Sequence, residues 1–222
     1  MELYHILNRG VEKIPIVRDN RDRLRFVRDL YEMNDARPVT NLWYRAKNPF
    51  SSDFVNHYKD ERERLVDIHG WCLMGNHYHL LVSEVQSGGL TMFLRKLNIG
   101  YANYFNERHH RSGSLYQGRT KKVLIERDAH FLWILNYIHL NPLDFMRTAG
   151  DWRAQCLVSE KKALEYLEGY RWSSYRDYLG EGEFAPILAG SFMFQDKEEH
   201  VRESRQYLAS IAATPVPLHE LE

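Results

Sequence analysis

The run from Trp71 to Ser83, WCLMGNHYHLLVS, constrains the fold more than any other stretch of the chain. It continues an apolar segment that begins at Leu65, and its centre, MGN, contains residues that tolerate a tight turn. The sequence therefore predicts an antiparallel hairpin whose second strand begins at His77. Because side chains alternate faces along a strand, His77 and His79 project from the same face. Such a pair can hold a divalent metal ion if a third ligand arrives from elsewhere, or it can have no ligand role.

The elements around this hairpin predict an α+β fold with a ferredoxin-like (RRM-like) antiparallel sheet. A first strand is expected over 3–8, ahead of a helix that Asp19 or Asn20 caps. A long amphipathic helix over 90–108 precedes a short strand over 121–125. A last helix follows over 129–141 and ends at Pro142. The order β-α-β-β-α-β places two helices on one face and the histidine strand in the centre, and the last helix can cover the open face.

The rest of the chain is expected to form an insertion in this unit and an extension after it. Residues 34–64 lack a sustained apolar period and indicate an insertion, with a short helix over 53–64. We expect one domain over 1–145 and a C-terminal extension over 146–222 with helices near 161–167 and 197–212. The aromatic run over 170–178 is expected to clamp the edge of the domain, and the end of the chain is expected to be mobile.

The composition excludes several classes of protein. Of the 222 residues, 44% are hydrophobic and 27% are charged, as in ordinary globular proteins. No stretch approaches the roughly 18 apolar residues of a membrane span. Cys72 and Cys156 lie far apart, so neither a disulfide framework nor a thiolate zinc site is indicated. A cytoplasmic protein is the expectation.

Basic residues concentrate between residues 86 and 127, although the formal net charge of the chain is zero. The segment contains eight Lys or Arg residues against Glu107 and Glu126. Its loop over 109–119 adds glycines and the ring of Tyr116, a combination that suits a single-stranded nucleic acid and equally suits a solvated loop. The predicted DNA-binding residues are Arg95, Lys96, Arg108, Arg111, Tyr116, Arg119, Lys121 and Lys122.

The last helix of the unit presents a second polar pair. Tyr137 and Asn141 stand at i and i+4 and project together, whereas His139 points roughly to the opposite side. A tyrosine on an apolar helix is in most cases a packing residue. Combined with the two histidines and the basic segment, however, the pair indicates a nuclease with a tyrosine nucleophile and a metal ion as Lewis acid.

Five blocks of the chain resemble, in order, those of the REP-associated tyrosine transposases of the one-tyrosine HUH superfamily. They are YHILNRG, MGNHYHLLV, YFNERHHRSGSLYQGR, NYIHLNP and YRWSSY, and they extend over most of residues 1–178. The resemblance implies His77, His79 and Asn141 as metal ligands and Tyr137 as the nucleophile. Gly75 stands where many relatives have proline, and the middle residue of the HUH triplet is aromatic instead of aliphatic. Neither departure removes a ligand.

The resemblance further implies a metal-dependent single-strand DNA endonuclease and strand-transferase of the bacterial cytoplasm. It would act on hairpin-forming repeats through a covalent 5′-phosphotyrosine, as a monomer or a homodimer. The implied cofactor is Mg²⁺ or Mn²⁺, and histidine ligation suits Mn²⁺ better. Two alternatives stay open. One is a non-catalytic or regulatory DNA-hairpin-binding protein, and the other is a different HUH nuclease, of the replication initiator or relaxase type.

Overall fold

A four-stranded antiparallel sheet forms the centre of the protein. The computed structural model describes residues 2–38, 62–125, 128–146, 152, 159–189 and 197–213, with only the backbone at 128–132, 197 and 210–213. The strands are β1 (Leu3–Arg9), β2 (Val66–Leu73), β3 (His77–Glu84) and β4 (Lys121–Ile125). Their spatial order, β2-β3-β1-β4, is the ferredoxin-like order, and β3 is central as predicted. Most of the expected insertion, residues 39–61, lies outside the described residues.

Helices cover both faces of this sheet. They are α1 (Asn20–Glu32), α2 (Gly89–Arg108), α3 (Asp128–Leu140), α4 (Glu160–Gly169), α5 (Tyr175–Tyr178) and α6 (Lys197–Ala213). A short 3₁₀ helix, Asn141–Phe145, follows α3 directly. The bounds of α2, α3, α4 and α6 lie within two residues of those predicted from the apolar period. None of the helices in the described ranges is long and apolar enough to cross a membrane.

One apolar layer lies between the sheet and helices α1 and α2. Asp19 begins α1 as its N-cap, because its carboxylate accepts hydrogen bonds from the backbone N–H groups of Arg21 and Asp22. The layer contains fully buried aromatic side chains, among them Phe26, Trp71, Tyr78, Phe93, Tyr101 and Phe105. Tyr78 belongs to this layer because it alternates with the two histidines along β3. The histidines therefore face the opposite side of the sheet.

A second layer forms where α3 and the C-terminal helices pack on that opposite side. Its buried residues include Leu81, Leu135, Tyr137, Ile138, Leu164, Leu167 and Tyr175. Gly70 of β2 permits the close approach of α3, since a Cβ atom there would lie 2.4 Å from Cδ1 of Leu135. The last helix of the unit thus covers the open face of the sheet, as the sequence predicted.

The aromatic run after α4 covers the outer edge of β2. The backbone N–H of Leu73 donates to the carbonyl of Trp172 at 2.9 Å, and the N–H of Ser174 donates to the carbonyl of Trp71 at 3.0 Å. These bonds use backbone groups of the edge strand that could otherwise pair with another chain. The expected clamp at the edge of the domain is confirmed.

Candidate metal and tyrosine site

The two histidines of β3 lie side by side on the face that α3 covers. The ring centroids of His77 and His79 are 5.0 Å apart, with the ring planes nearly perpendicular. Across the sheet, His79 lies opposite Leu7 of β1 and Cys72 of β2. His79 is fully buried, whereas His77 is partly exposed. The alternation predicted from the sequence therefore brings the pair together at the interface between the sheet and α3.

Each histidine uses its Nδ1 atom in a hydrogen bond. Nδ1 of His77 donates to Oδ1 of Asn76 at 2.6 Å, and Nδ1 of His79 lies 2.9 Å from Nε2 of His5. Histidines that bind metal ions generally hold one ring nitrogen in such a bond and use the other as the ligand. The arrangement fits two ligands that bind through Nε2.

His5 is a site residue that sequence reasoning missed. Its ring lies edge to edge with that of His79, with centroids 5.2 Å apart and planes 7° from parallel. Only 1% of the residue is exposed, and burial lowers its pKa to about 4, which keeps the imidazole neutral at pH 7. The signal available in the sequence was the predicted strand order, which places the first strand beside the histidine strand.

Helix α3 brings Tyr137 to this pair of imidazole rings. The tyrosine ring is perpendicular to both imidazoles, with centroids 5.7 Å from His79 and 6.0 Å from His5. One turn later, Nδ2 of Asn141 donates to the backbone carbonyl of Tyr137 at 2.9 Å. This bond holds the amide at the end of the helix, and its carbonyl oxygen is the type of ligand that a hard cation takes. His139 points away, toward Ser174, as expected.

Two tryptophans cover the tyrosine. The ring of Trp133 stacks on that of Tyr137 at 6.0 Å, and the ring of Trp152 lies 6.4 Å away. Nε1 of Trp152 donates to Oδ1 of Asp144 at 2.7 Å, which holds this ring in place. Tyr137 has no exposed surface in this arrangement. Another molecule can therefore reach the phenol only after the surrounding side chains have shifted.

The donor set of the site fits a metal ion that takes part of its ligands from water or substrate. In the described part of the chain, no group of three or more His, Cys, Asp or Glu residues could hold a metal ion. Two imidazoles and one amide oxygen are few donors for a divalent ion, which would take its further ligands from other molecules. Mn²⁺ accepts such a mixed set, whereas Mg²⁺ prefers oxygen alone.

The predicted DNA-binding residues divide into two groups. Four are exposed: Arg95 on α2, Arg119 before β4, and Lys121 and Lys122 on β4. Leu7 of β1 pairs with Lys121 of β4 on one side and with His79 of β3 on the other. The three residues therefore form one row on the site face, which is the face of the sheet that carries His77 and His79. Lys122 points to the other face, where its Nζ donates to Thr91 of α2 at 3.1 Å.

The other basic residues of that set are engaged within the protein. Arg108 forms ion pairs with Asp19, at 2.6 Å, and with the buried Asp22. Nζ of Lys96 donates to the backbone carbonyl of Arg37 at 2.8 Å. Nη1 of Arg111 donates to Oδ1 of Asn106 at 3.0 Å. These contacts reduce their availability to a phosphate backbone.

Tyr116 differs from the expectation that its ring is available for stacking. The residue is only 7% exposed, and its ring packs perpendicular to that of Tyr78, with centroids 6.1 Å apart. A backbone bridge to Gly10 holds the segment against the sheet. The burial argues against contact between this ring and a nucleic-acid base, because the apolar ring anchors the basic loop to the core.

Arg9 is a second residue that sequence reasoning missed. It lies directly opposite His77 in the pairing of β1 with β3, so the two side chains share the site face. A guanidinium at this position adds positive charge beside the histidines. Sequence alone placed it at the end of the first strand, where the register with β3 was not known.

No family model and no curated protein matches the sequence. Among solved structures, the chain is similar to a REP-associated tyrosine transposase bound to a REP hairpin, with a TM-score of 0.45 and 12% sequence identity. The similarity covers 87% of this chain and 88% of that chain. At this identity and TM-score, the similarity does not assign a function to this chain.

Proposed function

We propose that the protein is a metal-dependent single-strand DNA endonuclease and strand-transferase that acts on hairpin-forming DNA. The observation that carries this proposal is the perpendicular contact of Tyr137 with His79, at 5.7 Å between centroids. A tyrosine nucleophile and the ligands of a metal ion must reach the same phosphate, and the ring of Tyr137 contacts that of His79, one of the two proposed histidine ligands. The resemblance of the five sequence blocks to REP-associated tyrosine transposases supports the same assignment.

The proposed reaction uses a weak nucleophile, the phenol of Tyr137. A phenol has a pKa near 10 and a phosphodiester is negatively charged, so attack at neutral pH is slow. When bound by His77, His79 and Asn141, a divalent ion supplies charge neutralisation at the scissile phosphate. Oη of Tyr137 attacks phosphorus and loses its proton to solvent. The P–O3′ bond breaks, the 3′ oxygen leaves as a hydroxyl after it takes up a proton, and the new 5′ end remains on the tyrosine.

The charged residues around the site provide contacts for the DNA backbone. Arg9 and Lys121 share the face of the histidines, and Arg119 is exposed just before β4. Single-stranded DNA that follows this row would pass from β4 across β1 to the histidines of β3. The negative phosphates along this path are attracted by the three cations, which orients the strand toward Tyr137.

Binding without cleavage is the second candidate function, and a specific observation favours it. Tyr137 is fully buried beneath Trp133 and Trp152. A hairpin-binding protein that never exposes this residue would keep the basic surface and form no covalent product. The two functions differ in one measurable outcome, the formation of a protein–DNA adduct.

Covalent capture on a denaturing gel tests the proposal. Hairpin DNA with single-stranded flanks is incubated with the protein and Mn²⁺, with the label at the 3′ end in one sample and at the 5′ end in another. We expect the 3′ label to migrate with the protein and the 5′ label to appear on a shorter free strand. Tyr137→Phe should lose the adduct and keep hairpin binding in a native gel shift.

Tyr116→Phe is the matched control. Tyr116 is also buried, and its hydroxyl has no hydrogen-bond partner among the described residues, so the variant removes an oxygen at little cost. We expect it to form the adduct as the wild type does. An adduct that persists in Tyr137→Phe contradicts the proposed nucleophile, and binding by the wild type without any adduct favours the hairpin-binding function.

A further inference from the structure

We propose that His5 is a positioning residue that holds His79 in the tautomer able to bind a metal ion. In this arrangement Nδ1–H of His79 donates to Nε2 of His5, and Nε2 of His79 keeps a lone pair for the ion. The inference rests on the proposed function, because it concerns one of the proposed metal ligands. It extends that function to a residue on a different strand.

The geometry of the two rings supports this role. The nitrogen atoms are 2.9 Å apart, and the parallel rings are 1% and 0% exposed, so little water competes for the bond. His5 lies opposite Leu81 in the register of β1 with β3, which makes it a diagonal neighbour of His79 on the same face. The strand pairing itself therefore holds the acceptor in place.

The position of one proton determines which nitrogen of His79 can bind a metal ion. When each imidazole carries one proton, a single proton lies between Nε2 of His5 and Nδ1 of His79. When His79 holds that proton, its Nε2 atom carries a lone pair. When His5 holds it, the proton of His79 sits on Nε2 and blocks the ligand atom. The direction of one hydrogen bond thus determines whether His79 can be a ligand.

His77 has the same type of hydrogen bond at Nδ1, but its partner is an amide oxygen. Oδ1 of Asn76 can only accept, so Nδ1 of His77 must carry the proton in their 2.6 Å bond. For His79, the corresponding acceptor is His5. The arrangement has a cost, because Nδ1 of His5 then keeps a proton and has no hydrogen-bond partner among the described residues. We expect the bound ion to offset this cost.

Two variants of His5 separate the hydrogen bond from packing. His5→Phe keeps a planar ring in the buried position and removes the acceptor, whereas His5→Gln supplies an amide oxygen close to the position of Nε2. Tyr4→Phe is the control on the same strand, because Tyr4 alternates to the opposite face. Mn²⁺ binding is measured by the electron paramagnetic resonance signal of the free ion, and folding by thermal denaturation without metal.

We expect His5→Phe to weaken Mn²⁺ binding about 10- to 100-fold. His5→Gln and Tyr4→Phe should remain close to the wild type. A folded His5→Phe variant with unchanged Mn²⁺ affinity overturns the inference. If the wild type binds Mn²⁺ and forms the covalent adduct in that case, the proposed function stands without it. A wild type that neither binds Mn²⁺ nor forms an adduct overturns both.

A measurement on the wild type decides the matter if His5→Phe does not fold. Long-range ¹H–¹⁵N correlation spectra of the imidazoles, recorded without any metal ion, report which nitrogen of His79 is protonated. We expect the proton on Nδ1. A proton on Nε2 under these conditions overturns the inference.

Discussion

The ring of Tyr137 on α3 lies perpendicular to that of His79 on β3, with centroids 5.7 Å apart. Through this contact, helix α3 packs on β3, the central strand of the sheet. The position of α3 is also fixed from its other side, where Nε2 of His139 bonds Oγ of Ser174 at 2.8 Å. The site thus depends on how one helix docks, and changes that loosen the docking should displace Tyr137 before they displace the β3 histidines.

Substitution of Gly10 should destabilise the protein next to the hairpin turn. A Cβ atom at Gly10 would lie 2.2 Å from the backbone carbonyl oxygen of Ile14, and the N–H of Gly10 donates to the carbonyl of Asn76 at 2.8 Å. We expect Gly10→Ala to lower the free energy of unfolding by about 1–3 kcal/mol, because backbone must move to relieve the clash. Urea denaturation measures this change.

Gly169→Ala is the control for that experiment. Gly169 is the last residue of α4, and a Cβ atom there meets nothing within 4 Å. Alanine stabilises a helix relative to glycine by roughly 0.5–1 kcal/mol, so this variant should be as stable as the wild type or slightly more stable. Equal destabilisation by both substitutions would contradict the steric explanation.

The exposed cations beside the site should determine the salt dependence of hairpin binding. Arg119 and Lys121 are exposed, and Lys121 shares the face of the histidines. We expect the variant with Arg119→Gln and Lys121→Gln to bind hairpin DNA more weakly. Its plot of log affinity against log salt should be less steep by about 1.4–1.8, since each lost phosphate contact removes roughly 0.7–0.9 from the slope.

Lys161→Gln tests whether this effect is local. The side chain of Lys161 is 87% exposed on α4, and its substitution removes one positive charge that does not belong to the row of cations on β4. Fluorescence anisotropy over a range of NaCl concentrations gives both slopes. An unchanged slope in the double variant, or the same loss per charge in Lys161→Gln, places the DNA-binding surface elsewhere.

A buried carboxyl on α1 should make stability depend on pH. Burial raises the pKa of Asp29 to about 7, although Nε of Arg25 donates to its Oδ1 at 2.8 Å. The unfolded carboxyl ionises near pH 4, so between about pH 4 and 7 the folded state binds the extra proton. The contribution of Asp29 to stability therefore falls as pH rises through this window and is constant above it.

Asp29→Asn isolates this contribution from those of other titrating groups. We expect the free energy of unfolding of the wild type, minus that of the variant, to fall by about 2–3 kcal/mol between pH 5 and pH 8. Chemical denaturation of both proteins at the two pH values measures the difference. The same difference at pH 5 and pH 8 would show that the carboxyl titrates alike in both states.

Much of the fold was predictable because its signals are local. The apolar period located the helices, alternation assigned the two faces of β3, and MGN marked the turn before His77. The rules that connect consecutive elements then predicted a central β3 and a helix over the open face of the sheet. Tyr137 and Asn141 could be paired because i and i+4 positions share a helix face.

The structure decided what depends on register and burial. The sequence of a glycine-rich basic loop does not reveal whether its aromatic ring is exposed or packs on the core. Tyr116 and Arg108 could therefore not be distinguished from exposed residues such as Arg119. The sequence by itself determined the elements, the pair His77 and His79 on one face, and the helix that bears Tyr137. Only the tertiary structure added His5 and Arg9 to the site, because the residue opposite a given position is set by strand register, which the contacts of the whole sheet select.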